Sequence, residues 1–114
     1  MTLDELASAH CVHLTGQQHA LDAKAVAGHL AVLTDWQLAD DGASIGKAFG
    51  FADFHRTMAF VNAVAWIAHS EDHHPDFEVG YARCILRYST HDVGGISLND
   101  MICAARVERL LERD

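Results

Sequence analysis

The chain has 114 residues, half of them hydrophobic, and a formal charge of −8 from sixteen acids against eight bases. That length supports one hydrophobic core but not two, and the acidic balance repels the phosphate backbone that supplies most nucleic-acid affinity, which argues against DNA or RNA as a partner. No stretch of about 18 apolar residues is present to span a bilayer, and the opening MTLDELASAH carries acids where a secretory leader needs basic and then apolar residues, so a cytoplasmic protein is expected.

Residues 1–19 have weak periodicity and read as a loosely held N-terminal arm ahead of a single domain over 20–114. In residues 21–33, Leu21, Ala25, Gly28 and Val32, with Ala27, Leu30 and Ala31, recur at helical spacing and predict a helix. Residues 35–38 and the alternating stretch 43–51 flank Asp40-Asp41-Gly42, whose Asp-Gly pair signals a hairpin between two antiparallel strands. A longer helix follows over 53–72, with Asp53 as N-cap and Phe54, Met58, Val61, Ala65 and Ala68 as its apolar stripe. Pro75 disfavours helical geometry at His74, so this helix should stop beside the two histidines.

Residues 79–89 alternate again. Ala82, Cys84, Leu86 and Tyr88 fall on one face, and Tyr81, Arg83, Ile85 and Arg87 on the other, partly wet face. Gly94-Gly95 breaks the strand region, and Ser97-Leu98-Asn99-Asp100 reads as a capping box opening a last helix that turns Leu98, Ile102, Ala105 and Leu110 to the core. The order helix, two strands, helix, one or two strands, helix favours an antiparallel α+β sandwich, helices on one sheet face, over a parallel α/β fold.

Nine histidines in so short a chain stand out, because imidazole changes charge near working pH. The densest polar cluster is His69-Ser70-Glu71-Asp72-His73-His74-Pro75, at the predicted end of a helix. The partial negative charge of the terminal carbonyls favours imidazolium there, so these side chains can both take and give protons. His91, in Ser89-Thr90-His91-Asp92, projects at the end of a strand and is a second candidate. Helix-end histidines are equally common as solvated caps. His10, His13, His19, His29 and His55 are expected to have no site role, Asp100 is explained as the third residue of its capping box, and Trp36, Trp66, Phe51 and Phe54 are expected in the core.

Zinc is the rival chemistry. His69 and His73 are four residues apart, and His74 or His91 would complete three ligands. The helical zinc motif, however, wants glutamate directly after its first histidine, where this chain has Ser70. Cys11, Cys84 and Cys103 are odd in number and have no C-x-x-C spacing, so neither a disulfide framework nor a cysteine metal site is expected.

His69, His73-His74-Pro75, Tyr81 six residues past the proline, His91 ten further and Asp100 nine beyond form a pattern that resembles the pterin-4a-carbinolamine dehydratases. Trp36, Phe49-Gly50-Phe51, Asp53-Phe54, Ala59-Phe60 and Ser89-Thr90 fit the same pattern, which spans Leu21 to Leu111. The resemblance implies a four-stranded antiparallel sheet with three helices on one face, in dimers or tetramers. It implies removal of water from a 4a-hydroxytetrahydropterin, recycling the pterin for an aromatic amino-acid hydroxylase with no metal or cofactor. Carried over by position, His73 and His91 would be the acid/base pair and His74 would complete the histidine set by orienting the pterin. Asp72, Pro75, Ser89, Thr90, Asp92 and Asp100 would line or support the pocket. Two departures stand out, His69 where relatives often have glutamate and Asn99 where some have arginine. Relatives of this kind also serve as dimerisation cofactors of a transcription factor, so a non-catalytic binding role is the alternative.

Overall fold

The computed structural model describes residues 1–112; residues 113 and 114, the end of the domain expected from sequence, lie outside the described residues. In chain order the elements are α1 (Leu3–Ser8), α2 (Ala23–Leu30), β1 (Gln37–Leu38), β2 (Ile45–Gly50), α3 (Phe54–Glu71), β3 (Asp76–Val79), β4 (Arg83–Tyr88) and α4 (Leu98–Leu111), with short 3-10 turns at Gln17–His19 and His91–Val93. The sheet is antiparallel throughout, in the order β1-β2-β4-β3. The α+β class expected from the pattern of elements is the one observed.

The first hairpin turns where Gly42 adopts φ 73°, a left-handed value that costs glycine nothing, while Asp41 accepts a hydrogen bond from the Ala43 N–H at 2.9 Å. β2 then pairs with β4 along its whole length, from Ile45 opposite Tyr88 to Gly50 opposite Arg83. Alternation decides which face is dry. Ile45 and Phe49 share a side with Cys84, Leu86 and Tyr88, and all are buried, whereas Arg83 and Arg87 point outward. The strand read over 79–89 is β4, and the second of the one or two strands expected here is β3, just ahead of it; the chain turns between them at Gly80, whose N–H donates to the Arg83 carbonyl at 2.7 Å. β3 carries no buried residue, as befits an edge strand.

α3 has the expected caps but a rotated face. Asp53 accepts from the Arg56 N–H at 2.8 Å, and the buried residues are Thr57, Phe60, Val64, Ile67, Ala68 and Glu71, of which Ala68 alone belongs to the expected stripe. The expected stripe had the right period and the wrong phase: Phe54 is 46% and Trp66 67% exposed, so neither belongs to the core. The aromatic core is made by Trp36 edge-on to Phe49, and by Phe60 against Phe49 and Phe51.

The largest departure is at the N-terminus. The segment read as a loose arm contains a fourth helix, α1, closed by a capping box between Thr2 and Glu5, with Leu6 fully buried. α1 packs against α4, which also touches α3 and β4. This explains why Met101, Ile102, Cys103, Ala104 and Ala105 are all buried instead of forming a one-sided stripe. A helix apolar all round must be covered all round. Each such side chain contributes roughly 1.5–3 kcal/mol for full burial of a large apolar group, less for alanine.

Candidate functional site

The end of α3, the end of β4 and the start of α4 meet around one site. α3 stops where Asp72 takes a left-handed conformation (φ 51°, ψ 44°), and the His73 N–H donates back to the Ala68 carbonyl at 3.2 Å. Pro75, buried and two residues on, prevents the helix from resuming. β4 ends at Tyr88, and the chain passes through Ser89 and Thr90 into the turn at His91, which Gly94 closes at φ 75°. α4 begins immediately afterwards with the expected capping box of Ser97 and Asp100.

Between these ends lies a cavity of about 320 Å³. Seven residues singled out in the sequence line it: Asp72, His73, His74, Ser89, Thr90, His91 and Asp92. Pro75 and Asp100 do not. Pro75 shapes the backbone of His74, and Asp100 acts from behind His73.

The His73 Nε2–H donates to Asp100 Oδ1 at 2.6 Å, with the histidine side chain 12% exposed and the carboxylate fully buried. Asp100 Oδ2 also accepts from the Thr90 hydroxyl at 2.8 Å and from the Ser97 N–H at 2.9 Å. Three donors converge on one carboxyl group, which therefore works as an acceptor only. The partner of an acceptor-only carboxylate carries a proton on Nε2, which in a neutral imidazole is the tautomer with its lone pair on Nδ1. The capping explanation of Asp100 and its place beside the histidines hold together, through different oxygens. The His73 ring lies parallel to that of Tyr88, 6.0 Å between centroids. Burial pushes the Tyr88 phenol far above its ordinary range, so it stays protonated.

Six further lining residues were not assigned to the pocket from sequence. Cys11, Val12, His13 and Leu14 come from the N-terminal segment, and Glu71 and Asn99 from the ends of α3 and α4. Glu71, its side chain only 4% exposed, accepts from the Cys11 N–H at 2.7 Å and pairs with His10 Nδ1 at 2.9 Å. Burial raises the pKa of its carboxyl, but the Cys11 N–H, His10 and Arg106 outweigh that and hold it below its ordinary value. Asn99 accepts from the Val12 N–H at 3.2 Å and donates to the Val12 carbonyl at 2.7 Å. His10 and His13, expected to be incidental, are thus attached to the site. The available signal was the apolar run Met101 to Ala105, which demanded a second cover that only the N-terminus could supply.

His69 stays outside the cavity, exposed and tilted against Trp66 at 5.6 Å. The turn at Asp72 takes His73 off the helix, so His69 and His73 do not form the facing pair that a zinc site would need. Among the described residues no three His, Cys, Asp or Glu side chains converge as a metal-binding set.

A family model described as pterin 4 alpha carbinolamine dehydratase matches residues 19–110. The chain belongs to the pterin-4α-carbinolamine dehydratase family. A protein of Xanthomonas campestris pv. campestris strain 8004, named "Putative pterin-4-alpha-carbinolamine dehydratase", is 53% identical over 108 residues, covering 95% of this chain and 92% of its own. One of the same name from Xanthomonas axonopodis pv. citri strain 306 is 51% identical over the same coverage. Among solved structures, a transcriptional coactivator/pterin dehydratase from Brucella melitensis superposes with a TM-score of 0.77 at 27% identity, covering 80% of this chain and 97% of that one. The fold alone is shared with a pterin dehydratase-like RuBisCO assembly factor of the alpha-carboxysome, at 23% identity and a TM-score of 0.58 over 67% of this chain and 88% of that one. No helix among the described residues is long and apolar enough to cross a membrane.

Proposed function

We propose that the cavity binds a 4a-hydroxytetrahydropterin and eliminates water from it, by histidine acid/base catalysis in the cytoplasm. The observation that carries this reading is the His73–Asp100 hydrogen bond at the cavity wall. A base within the reaction needs a lone pair aimed outward and a partner behind it to hold the imidazolium that forms, and a buried carboxylate on the far ring nitrogen supplies both.

In this reading Nδ1 of His73 takes the proton from ring N5, the N5–C4a double bond forms, and the C4a–O bond breaks. Protonated His91, exposed at the turn after β4, gives its proton to the departing hydroxyl, which leaves as water. His73 and His91 then re-equilibrate through solvent. Each proton transfer contributes roughly 10²–10⁴-fold. His74, exposed at the cavity, orients the ring, and Asp72, Ser89 and Asp92 offer polar groups to its edge. The Thr90 hydroxyl is committed to Asp100, so Thr90 acts by holding that carboxylate. Proton transfer alone completes the reaction, with no call on a metal or redox carrier. The quinonoid product fits pterin recycling beside an aromatic amino-acid hydroxylase. Self-association through the exposed edge of β3 completes the reading.

Steady-state kinetics of alanine variants, between about pH 6 and 9 where imidazole titrates, is the test. His73→Ala and His91→Ala should lower kcat, and His74→Ala should act on KM. Folded His73→Ala and His91→Ala proteins with wild-type kcat would replace this reading by the binding role that some members of the fold carry.

A further inference from the structure

Residues 9–16 have no regular secondary structure and lie ahead of residue 19, where the family model begins. They are nonetheless tied down at both ends. The Ala9 carbonyl accepts from Nε and Nη2 of Arg106, the Cys11 N–H reaches Glu71, and both backbone groups of Val12 are held by the side-chain amide of Asn99. Cys11 Sγ lies 3.6 Å from the Asn99 carbonyl oxygen. At the far end the Gly16 N–H donates to the carbonyl of Asp92 at 3.0 Å, beside His91, in a glycine turn at φ 95° where an added Cβ would meet Gln18 at 2.3 Å.

Glu71 and Asn99 are buried polar side chains whose hydrogen bonds go to a stretch of chain with no ladder of its own. Burying such groups costs free energy unless they are paired, so the segment and its anchors hold each other in place. The anchored stretch lines the same cavity as the histidines, and Val12 within it is 62% exposed there although both its backbone groups are fixed. A rigid backbone presenting an uncovered apolar side chain at the mouth of a polar cavity is suited to the face of a flat heterocycle.

We propose that residues 9–16 form a strap that is the third wall of the pterin site, with Val12 touching the ring face and Asn99 and Glu71 acting as positioning residues through the strap. The inference rests on the dehydratase reading and adds to it where the affinity for the ring face comes from. The strap does no proton transfer, so it governs KM and leaves kcat to the histidines.

The test combines steady-state kinetics with 4a-hydroxytetrahydropterin and amide hydrogen exchange on Val12→Ser, Asn99→Ala and Asn99→Asp, which removes only the donor half of the amide, with His55→Ala as a control outside the site. Asn99→Ala should raise KM about tenfold, equivalent to roughly 1.4 kcal/mol, and lose protection at the Val12 amide. Its kcat should stay within about twofold, since a neighbouring effect on Asp100 would appear in kcat instead. Asn99→Asp keeps the acceptor for the Val12 N–H but sets a carboxylate oxygen against the Val12 carbonyl, two acceptors across a 2.7 Å contact, so it should raise KM at least as much as Asn99→Ala. Val12→Ser should raise KM several-fold with the Cys11 amide still protected, and this variant decides the matter alone if Asn99→Ala does not fold. Active wild-type protein with Val12→Ser at wild-type KM, or with the loss in kcat alone, overturns the strap while the dehydratase reading stands. Wild-type protein with no turnover of the pterin overturns the dehydratase reading, and the strap falls with it.

Discussion

Asparagine at position 100 separates the two jobs of that side chain. Asn has the shape of Asp, so packing in the fully buried site is kept, and one amide oxygen can still accept from the Ser97 N–H and the Thr90 hydroxyl. The other atom becomes NH₂ and meets His73 Nε2, so two donors would face each other across the 2.6 Å contact. The ring must then move its proton to Nδ1 and accept through Nε2, which removes the lone pair that the proposed elimination uses. Hydrogen bonds to a charged group are worth about 1.5–3 kcal/mol and neutral ones about 1, so three such bonds weakened together cost roughly 2–3 kcal/mol. A domain of this size has about 5–15 kcal/mol in hand, so the variant folds. Its Tm should fall by roughly 10 °C, a few degrees per kcal/mol. The kinetic loss should be far larger, about 10²–10⁴-fold in kcat, because the proposed general base has lost its tautomer. Thermal unfolding by circular dichroism and turnover of 4a-hydroxytetrahydropterin read the two effects separately. A folded Asp100→Asn protein with wild-type kcat would refute the orienting role and leave Asp100 as a helix cap alone.

Exhaustive chelation should leave turnover unchanged, and activity lost to chelator and restored by zinc would contradict the proton-transfer mechanism. Sedimentation at micromolar concentration should give a dimer or tetramer, through the open edge of β3, and a monomer would count against that interface. Glu71 is held below its ordinary value of 4.5 in the fold, so its stabilising contribution is complete above that value and is lost as pH falls through the lower, folded one. Glu71→Gln should therefore flatten the fall in stability measured by urea unfolding below about pH 5, and an unchanged slope would show that Glu71 is not linked to folding.

The periodicities and turn residues carried most of the fold, for identifiable reasons. Asp41-Gly42, Asp53, Pro75 and Ser97-x-x-Asp100 are local signals that act through local backbone chemistry, and each sits where the sequence reading expected it. The phase of α3 was not legible, because period alone does not say which of two neighbouring stripes meets the sheet. Phe54 and Trp66 are large enough to suggest core, yet the buried positions include Thr57 and Glu71, whose polar groups find partners only after the chain has folded. Thr57 bonds to Asp53 and Tyr81, and Glu71 to a backbone N–H sixty residues earlier. The same long-range dependence hid the strap. Residues 9–16 have no pattern of their own because their order comes from Glu71, Asn99, Arg106 and Asp92. Three histidines and their carboxylate were legible as residues, while the direction of the His73–Asp100 bond was not.

The most direct test of the account is the rate at which the purified chain converts 4a-hydroxytetrahydropterin to quinonoid dihydropterin, followed optically beside the His73→Ala/His91→Ala double variant. Wild-type protein should give a clear acceleration over spontaneous water loss, and the double variant should cost less than the two single variants summed, as expected of two groups acting in one step. No acceleration by wild-type protein, or equal acceleration by the folded double variant, would contradict the account.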